Sequence, residues 1–146
     1  MITKALSIRQ PWASVMAIGA KRIENRNWST RFRGRVLIHA SKWWNGREVM
    51  EDRDFVVDVM RDMPIHAPEM DHIKTMRGGI IGAFTVIGCV DQSDDPFFFG
   101  PYGFVVEDAI AFPEVVPCQG RLGFFDVEPT IAQRCHEHLT QPGEKM

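Results

Sequence analysis

The chain has 146 residues, 45% of them hydrophobic and 25% charged, a size and balance that fit one globular domain with its own core and exclude a disordered or fibrous chain. The net charge of -2 hides an asymmetry: residues 1–47 carry ten Lys or Arg against the single acid Glu24, a net of +9, and residues 48–146 carry a net of -11. Such a split is the electrostatic signature of a focused basic region, unless folding interleaves the two halves and cancels the field.

In chain order, Ala5 to Arg9 alternates as a first strand with Leu6 and Ile8 on one face. Pro11 suits a helix start, Trp12, Val15, Met16 and Ile18 supply its apolar positions, and Gly19 is its expected C-terminal cap. Lys21 to Trp28 reads as a polar extended segment with Ile23 inward. Arg35 to Ala40 is a strong strand, followed by a loop at Trp43, Trp44 and Asn45. Arg47 to Met63 has a helical period, ended by Pro64, and a short helical turn is expected around Glu69 to Met76. Gly79 to Asp91 is nearly continuous in apolar residues and is expected to be central. Tyr102 to Glu107 is another strand, and Ala109 to Pro117, with two prolines, suits an edge. Gly123 to Glu128 is the last strand, and Thr130 to Leu139 a terminal helix. The expected fold is α+β: a small mixed β-barrel with peripheral helices, one domain over residues 1–140 and a frayed tail at 141–146.

Several function classes are disfavoured. No apolar run is long enough to span a membrane, and no apolar leader precedes the first strand, so a cytoplasmic protein without a membrane partner is expected. Three scattered cysteines, Cys89, Cys118 and Cys135, do not suit a disulfide framework. Neither Cys135 with His136 and His138 nor Asp91 with Asp94 and Asp95 has convincing metal-ligand spacing, so no metal or cofactor is expected. Gly78, Gly79 and Gly82 form no phosphate loop and are read as allowing a bend in a strand. Ser7 and Ser14 show no Ser/His/Asp arrangement at the level of sequence.

The densest polar chemistry lies in the first third. Arg9, Lys21, Arg22, Arg26, Arg33 and Arg35 are candidate phosphate contacts, because a guanidinium fork matches phosphate or carboxylate. Trp12, Trp28 and Trp43 are candidate stacking surfaces, since a base stacks on an indole without sequence requirement. The same arginines also read as solvated surface, and the tryptophans as core. Lys21 and Glu24 carry a catalytic reading as well. A buried lysine has its pKa lowered and becomes a base or nucleophile, while a neighbouring carboxylate opposes that shift. His39, ending its strand, is a candidate acid or base for the same space, or a satisfied strand-end histidine.

Three stretches resemble one known family. Leu6-Ser7-Ile8-Arg9-Gln10-Pro11-Trp12-Ala13-Ser14 comes first, then Gly19-Ala20-Lys21-Arg22-Ile23-Glu24-Asn25-Arg26-Asn27-Trp28, then Arg33-Gly34 and Ile38-His39-Ala40. Together with Gly78 to Gly82, Tyr102 to Glu107 and Gly120 to Phe125 in the later part, they resemble the ASCH domain, of the PUA-like superfamily. The resemblance implies a PUA-like β-barrel with a cleft beside the first helix, and RNA or another nucleic acid as ligand. One branch of the family is implied to remove an acetyl group from acetylated cytidine with a lysine, a threonine and a glutamate. Lys21 matches that lysine, Glu24 stands where the threonine would be, and Glu107 is the candidate for the glutamate. Another relative is implied to be a ribonuclease.

The leading expectation is therefore binding of single-stranded RNA or a nucleotide in a basic, Trp-lined cleft. The alternative is a metal-independent hydrolase of an acylated cytidine or of RNA, using Lys21, Glu24 and His39. A third reading is a regulatory domain that binds a protein partner through Phe97 to Phe99.

Overall fold

The computed structural model describes residues 1–140; the expected frayed tail, 141–146, lies outside the described residues. Six strands and four helices follow in the order β1 (Lys4–Ile8), α1 (Trp12–Ala17), β2 (Ile23–Arg26), β3 (Gly34–Ala40), α2 (Gly46–Val59), α3 (Met70–Thr75), β4 (Gly79–Val90), β5 (Tyr102–Pro117), β6 (Phe124–Asp126) and α4 (Pro129–Leu139). The strands form one mixed sheet in the order β2-β5-β4-β3-β1-β6. Only β1 and β3 run parallel; the other neighbours are antiparallel. The parallel pair follows from the crossover through α1 and β2, which returns the chain to the same edge.

Strands at opposite ends of that order touch through side chains. The Trp28 ring, just past β2, lies 5.1 Å from Phe104 on β5 and 5.7 Å from Phe124 on β6. Arg26 on β2 donates to the backbone carbonyl of Ser7 on β1. The sheet is therefore curled into a half-barrel whose two ends meet through these side-chain contacts. This is the α+β architecture with peripheral helices that the sequence predicts, consistent with the PUA-like barrel that the resemblance implies.

The period-two alternation gives the sheet two buried faces. Leu6, Ile8, Val36, Ile38, Phe84 and Val86 join α1 in the inner core. Ala5, Leu37, Ile80, Ala83 and Phe112 face the other way, where Ala132 and Cys135 of α4 cover them. A third cluster joins Val15 of α1 to Val56 and Met60 of the α2 segment and to Phe97. The α1 helix is buried along its length. Its first turn is completed by Gln10, whose Oε1 accepts from the Ser14 backbone N–H at 3.0 Å.

Two readings of the sequence are refined. The segments 102–107 and 109–117 are one sixteen-residue strand, β5, continuing through Asp108 at φ 55°. Its later half, with Pro113 and Pro117, runs against β4 while β2 covers only the first half, so those prolines do lie along an edge. At Gly79 and Gly82 a Cβ would sit 2.3 Å from the carbonyl oxygens of Val116 and Ile110. The ladder shifts register between Ile80 and Gly82, so the glycines permit a close strand approach at a bulge.

Candidate nucleotide-binding cleft and a second cavity

Lys21 lies between the end of α1 and the start of β2, and its position is set by the turn between them. The backbone N–H groups of Ala20 and Lys21 both donate to the Val15 carbonyl, which folds the side chain back under α1. Lys21 is only 2% exposed. Its Nζ donates to the Ile23 carbonyl and to Glu24 Oε1, the latter at 3.3 Å, and lies 3.9 Å from Met16 Sδ. The Trp12 ring stands 5.7 Å from the ammonium. Burial pushes the Lys21 pKa down, and Glu24 opposes that shift.

Glu24 also serves Arg26, on the same face of β2. Arg26 Nε donates to Glu24 Oε2 at 3.0 Å, and Nη2 approaches the same oxygen at 2.9 Å. Nη2 further donates to the Ser7 carbonyl at 2.7 Å. Simple alternation assigns Lys21 to the opposite face from Glu24. Because the strand begins at Ile23, Lys21 sits in the preceding turn and reaches Glu24 instead. Asn25 points to the other side and fixes the aromatic loop: Nδ2 donates to the Phe97 carbonyl at 2.9 Å, and Oδ1 accepts from the backbone N–H groups of Phe99 and Gly100.

These residues form the floor and walls of a cavity of about 430 Å³ lined by Ser7, Ile8, Arg9, Trp12, Lys21, Glu24, Asn25, Arg26, Asn27 and Phe99. Trp12 and Phe99 make its aromatic side, with ring centroids 6.3 Å apart. Trp43 stands behind Arg9, whose guanidinium carbon lies 4.3 Å from the indole centroid.

The structure thus brings together Arg9, Trp12, Lys21, Glu24 and Arg26, with Trp43 next to them through Arg9. The remaining proposed contacts are placed elsewhere. Arg22 is exposed outside the cavity. Arg33 donates to the carbonyls of Thr30 and Phe32 in its own loop. Arg35 donates to Thr85 Oγ1 at 3.1 Å and the Asp108 carbonyl at 2.6 Å. Trp28 is packed among Phe104 and Phe124. Of the aromatic triplet, Phe97 is buried and only Phe99 is largely exposed, at 59%. Glu107 is exposed and lies outside the cavity.

His39 opens on a second cavity of about 820 Å³, lined also by Ser7, Arg26, Ser41, Lys42 and the 117–123 segment. Its Nε2 lies 2.7 Å from the Cys118 carbonyl and its Nδ1 lies 2.9 Å from Ser7 Oγ. Burial lowers the His39 pKa, against the pull of the Cys118 carbonyl. Ser7 and Arg26 border both cavities. The contact between Ser7 and His39 is the feature that sequence reasoning missed. Its signal would have been the parallel register that sets Ser7 opposite His39, which the local pattern does not encode.

Among the described residues, no group of three His, Cys, Asp or Glu side chains converges to hold a metal ion. Cys135 is buried in the α4 contact, its thiol pushed up to about 12 by burial, and His138 stacks on Phe112 at 4.9 Å. No helix among the described residues is long and apolar enough to cross a membrane.

Comparison with known proteins places this geometry in a family. Activating signal cointegrator 1 of Homo sapiens is 30% identical over 107 residues, covering 64% of this chain and 18% of that protein. The Mus musculus protein of the same name is 31% identical over 87 residues, covering 60% of this chain and 14% of that protein. The chain therefore spans less than a fifth of the length of either relative. Among solved structures, a point variant of the ASCH protein from Zymomonas mobilis superposes with a TM-score of 0.52 at 12% identity, covering 92% of this chain and 96% of that one. That likeness bears on the fold. The ASCH domain itself matches residues 6–104, most of the chain and all of the Arg9–Arg26 cleft. The chain belongs to the ASCH domain family.

Proposed function

We propose that the Arg9–Trp12–Lys21–Arg26 cavity binds a nucleotide or a short single-stranded segment of RNA. The observation that carries this reading is the gathering of three cations and an indole around one concavity. Its volume, about 430 Å³, lies within the roughly 300–1,000 Å³ typical of small-ligand clefts. In this reading a base stacks on Trp12 with Phe99 closing the edge. Arg9, which makes no salt bridge among the described residues and feels Asp52 only at longer range, meets phosphate. Lys21, Glu24 and Arg26 form a fixed polar floor against which a base edge hydrogen-bonds. Membership in a family whose domains generally bind RNA or nucleotides supports the same ligand class.

Charge sets the scale of the ligand. Lys21 and Arg26 already share Glu24, so few phosphates are neutralised. With about two phosphate contacts on a single strand, the slope of log K against log salt is about -1.4. A long polyanion-binding groove would give a much steeper one. Anisotropy of labelled single-stranded RNA and of a labelled mononucleotide, across a salt series and against Arg9→Ala and Trp12→Ala, tests the proposal. Absence of binding at low salt overturns it.

The second reading is hydrolysis of an acylated nucleoside in the same cavity. The lowered pKa of Lys21 beside Glu24 favours it. Against it, the charged amine is held by the Ile23 carbonyl and Glu24 and faces Met16 Sδ, so attack on a substrate requires the neutral amine to be released from these partners. Turnover of acetylated cytidine that disappears in Lys21→Ala, with the fold retained, would establish this reading over simple binding.

A further inference from the structure

We propose that Ser7 and His39 form a nucleophile–base pair that takes up the acyl group of an ester carrying an anionic group, in the second cavity. The inference is independent of nucleotide binding in the first cavity.

The tautomer carries the argument. A carbonyl oxygen only accepts, so the 2.7 Å contact to Cys118 requires a proton on His39 Nε2. In the neutral ring Nδ1 then holds a lone pair, and it lies 2.9 Å from Ser7 Oγ. Ser7 O–H donates to that lone pair. The Cys118 carbonyl fixes the ring as a carboxylate does in a serine hydrolase triad. Burial favours the neutral ring that this arrangement needs.

Room for a reacting group is given by the second cavity, about 820 Å³, which both Ser7 and His39 line. The position of an absent side chain at Gly120 is 3.2 Å from Ser7 Oγ and 3.1 Å from His39 Nδ1, although only 2.7 Å from His39 Cε1. Any β-carbon there would crowd the ring, so glycine lets the 117–123 segment pack closely on the pair. The cavity also has one sign of charge. Arg26, Lys42 and Arg121 line it, with no Asp or Glu among the lining residues. Arg26 donates to Ser7's own carbonyl at 2.7 Å, which sets a guanidinium beside the nucleophile. With Arg26 already paired to Glu24, Lys42 and Arg121 select an acyl donor that bears a carboxylate or phosphate.

The ester and one water are the only reactants. Ser7 Oγ bonds to the ester carbonyl carbon while its proton passes to His39 Nδ1. The carbonyl electron pair moves onto oxygen, beside the Arg26 guanidinium. Collapse of that intermediate breaks the bond to the leaving alcohol, which takes the proton from Nδ1. Water repeats the sequence and frees Ser7.

The test uses the whole chain. A fluorophosphonate probe is added to the folded protein, and the modified residue is located by peptide mass spectrometry. The expected result is a single adduct on Ser7, formed in the folded but not the urea-unfolded chain, and at least about 100-fold slower in His39→Gln, the size of a general-base contribution. Hydrolysis of the para-nitrophenyl monoester of succinate is expected to exceed that of the neutral butyrate ester about tenfold or more in kcat/KM, and to vanish in Ser7→Ala. No adduct on Ser7 of the folded, unsubstituted protein overturns the proposal. So does labelling at the same rate in folded and unfolded chains, a measurement that does not depend on how the variants fold.

Discussion

Lys21 Nζ lies 3.3 Å from Glu24 Oε1, with both side chains withdrawn from solvent. Glu24 is the only acid among the first 47 residues, and its other oxygen holds Arg26 at 2.9 Å. One carboxylate thus pairs with two cations at the floor of the cleft. Loss of Glu24 leaves the buried Lys21 and the half-buried Arg26 without a carboxylate, whereas loss of Lys21 leaves Glu24 still paired with Arg26.

This asymmetry predicts opposite effects on stability. Glu24→Ala is expected to cost about 3–5 kcal/mol, the usual penalty for breaking a buried pair from one side. Lys21→Met is expected to be neutral or stabilising, because a desolvated amine is replaced by an apolar chain of similar length. Urea denaturation of the two variants measures this directly. Equal destabilisation by both would mean that the amine contributes as much as the carboxylate.

The tryptophans separate in the same way. Trp12→Ala is expected to weaken nucleotide binding by about 1–3 kcal/mol, the value of one stacked base. Trp28→Ala removes a ring packed on Phe104 and Phe124 and is expected to cost about 2 kcal/mol or more of stability. Its binding, measured where the variant is folded, should be unchanged. Calorimetry and ligand titration on the same two samples give both readings.

Placement also divides the arginines. Arg9→Ala is expected to reduce affinity by several-fold at low salt and to lower the salt slope by about 0.7, one phosphate on a single strand. Arg22→Ala and Arg33→Ala lie outside the cleft and should leave the slope untouched. A slope that falls equally in all three variants would indicate a diffuse basic surface as the binding element.

Stability should carry the signature of His39. Its pKa is lowered in the fold by burial, so the unfolded chain binds the proton more readily. Stability is therefore full above the unfolded value of about 6.5. It is lost as pH falls from there through the lower folded value, with a slope of at most about 1.4 kcal/mol per pH unit, and is level below it. His39→Gln removes this component, so the difference between the two denaturation series against pH isolates it. A difference that does not change below pH about 6.5 would show that the histidine titrates alike in both states.

Local chemistry was legible in the sequence, and long-range register was not. The strand ending at His39, the helix after Pro11 and the central apolar strand from Gly79 all followed from period and punctuation, and they are β3, α1 and β4. Lys21, Glu24 and Arg26 converge because they are three and two residues apart, inside one turn and one strand. Arg35 diverges for an equally local reason: it alternates with Val36 and Ile38 of the inner core, and it is tied to Thr85 on the neighbouring strand. By contrast, Ser7 meets His39 across 32 residues, and His39 meets Cys118 across 79. Those contacts depend on a parallel pairing and on where a late loop returns, neither of which leaves a local pattern. The apparent break at Asp108 misled for the same reason, since continuous pairing with β4 carries the strand past it.

A base stacked on Trp12 with Phe99 at its edge is the central element of the proposed site, and photocrosslinking reads it directly. A short single-stranded RNA containing 4-thiouridine is irradiated with the protein, and the linked residues are identified by mass spectrometry. Crosslinks at Trp12, Phe99 or the Asn25–Asn27 stretch are the predicted result. Crosslinks confined to α4 or the outer half of β5, with none at the cleft, would contradict it.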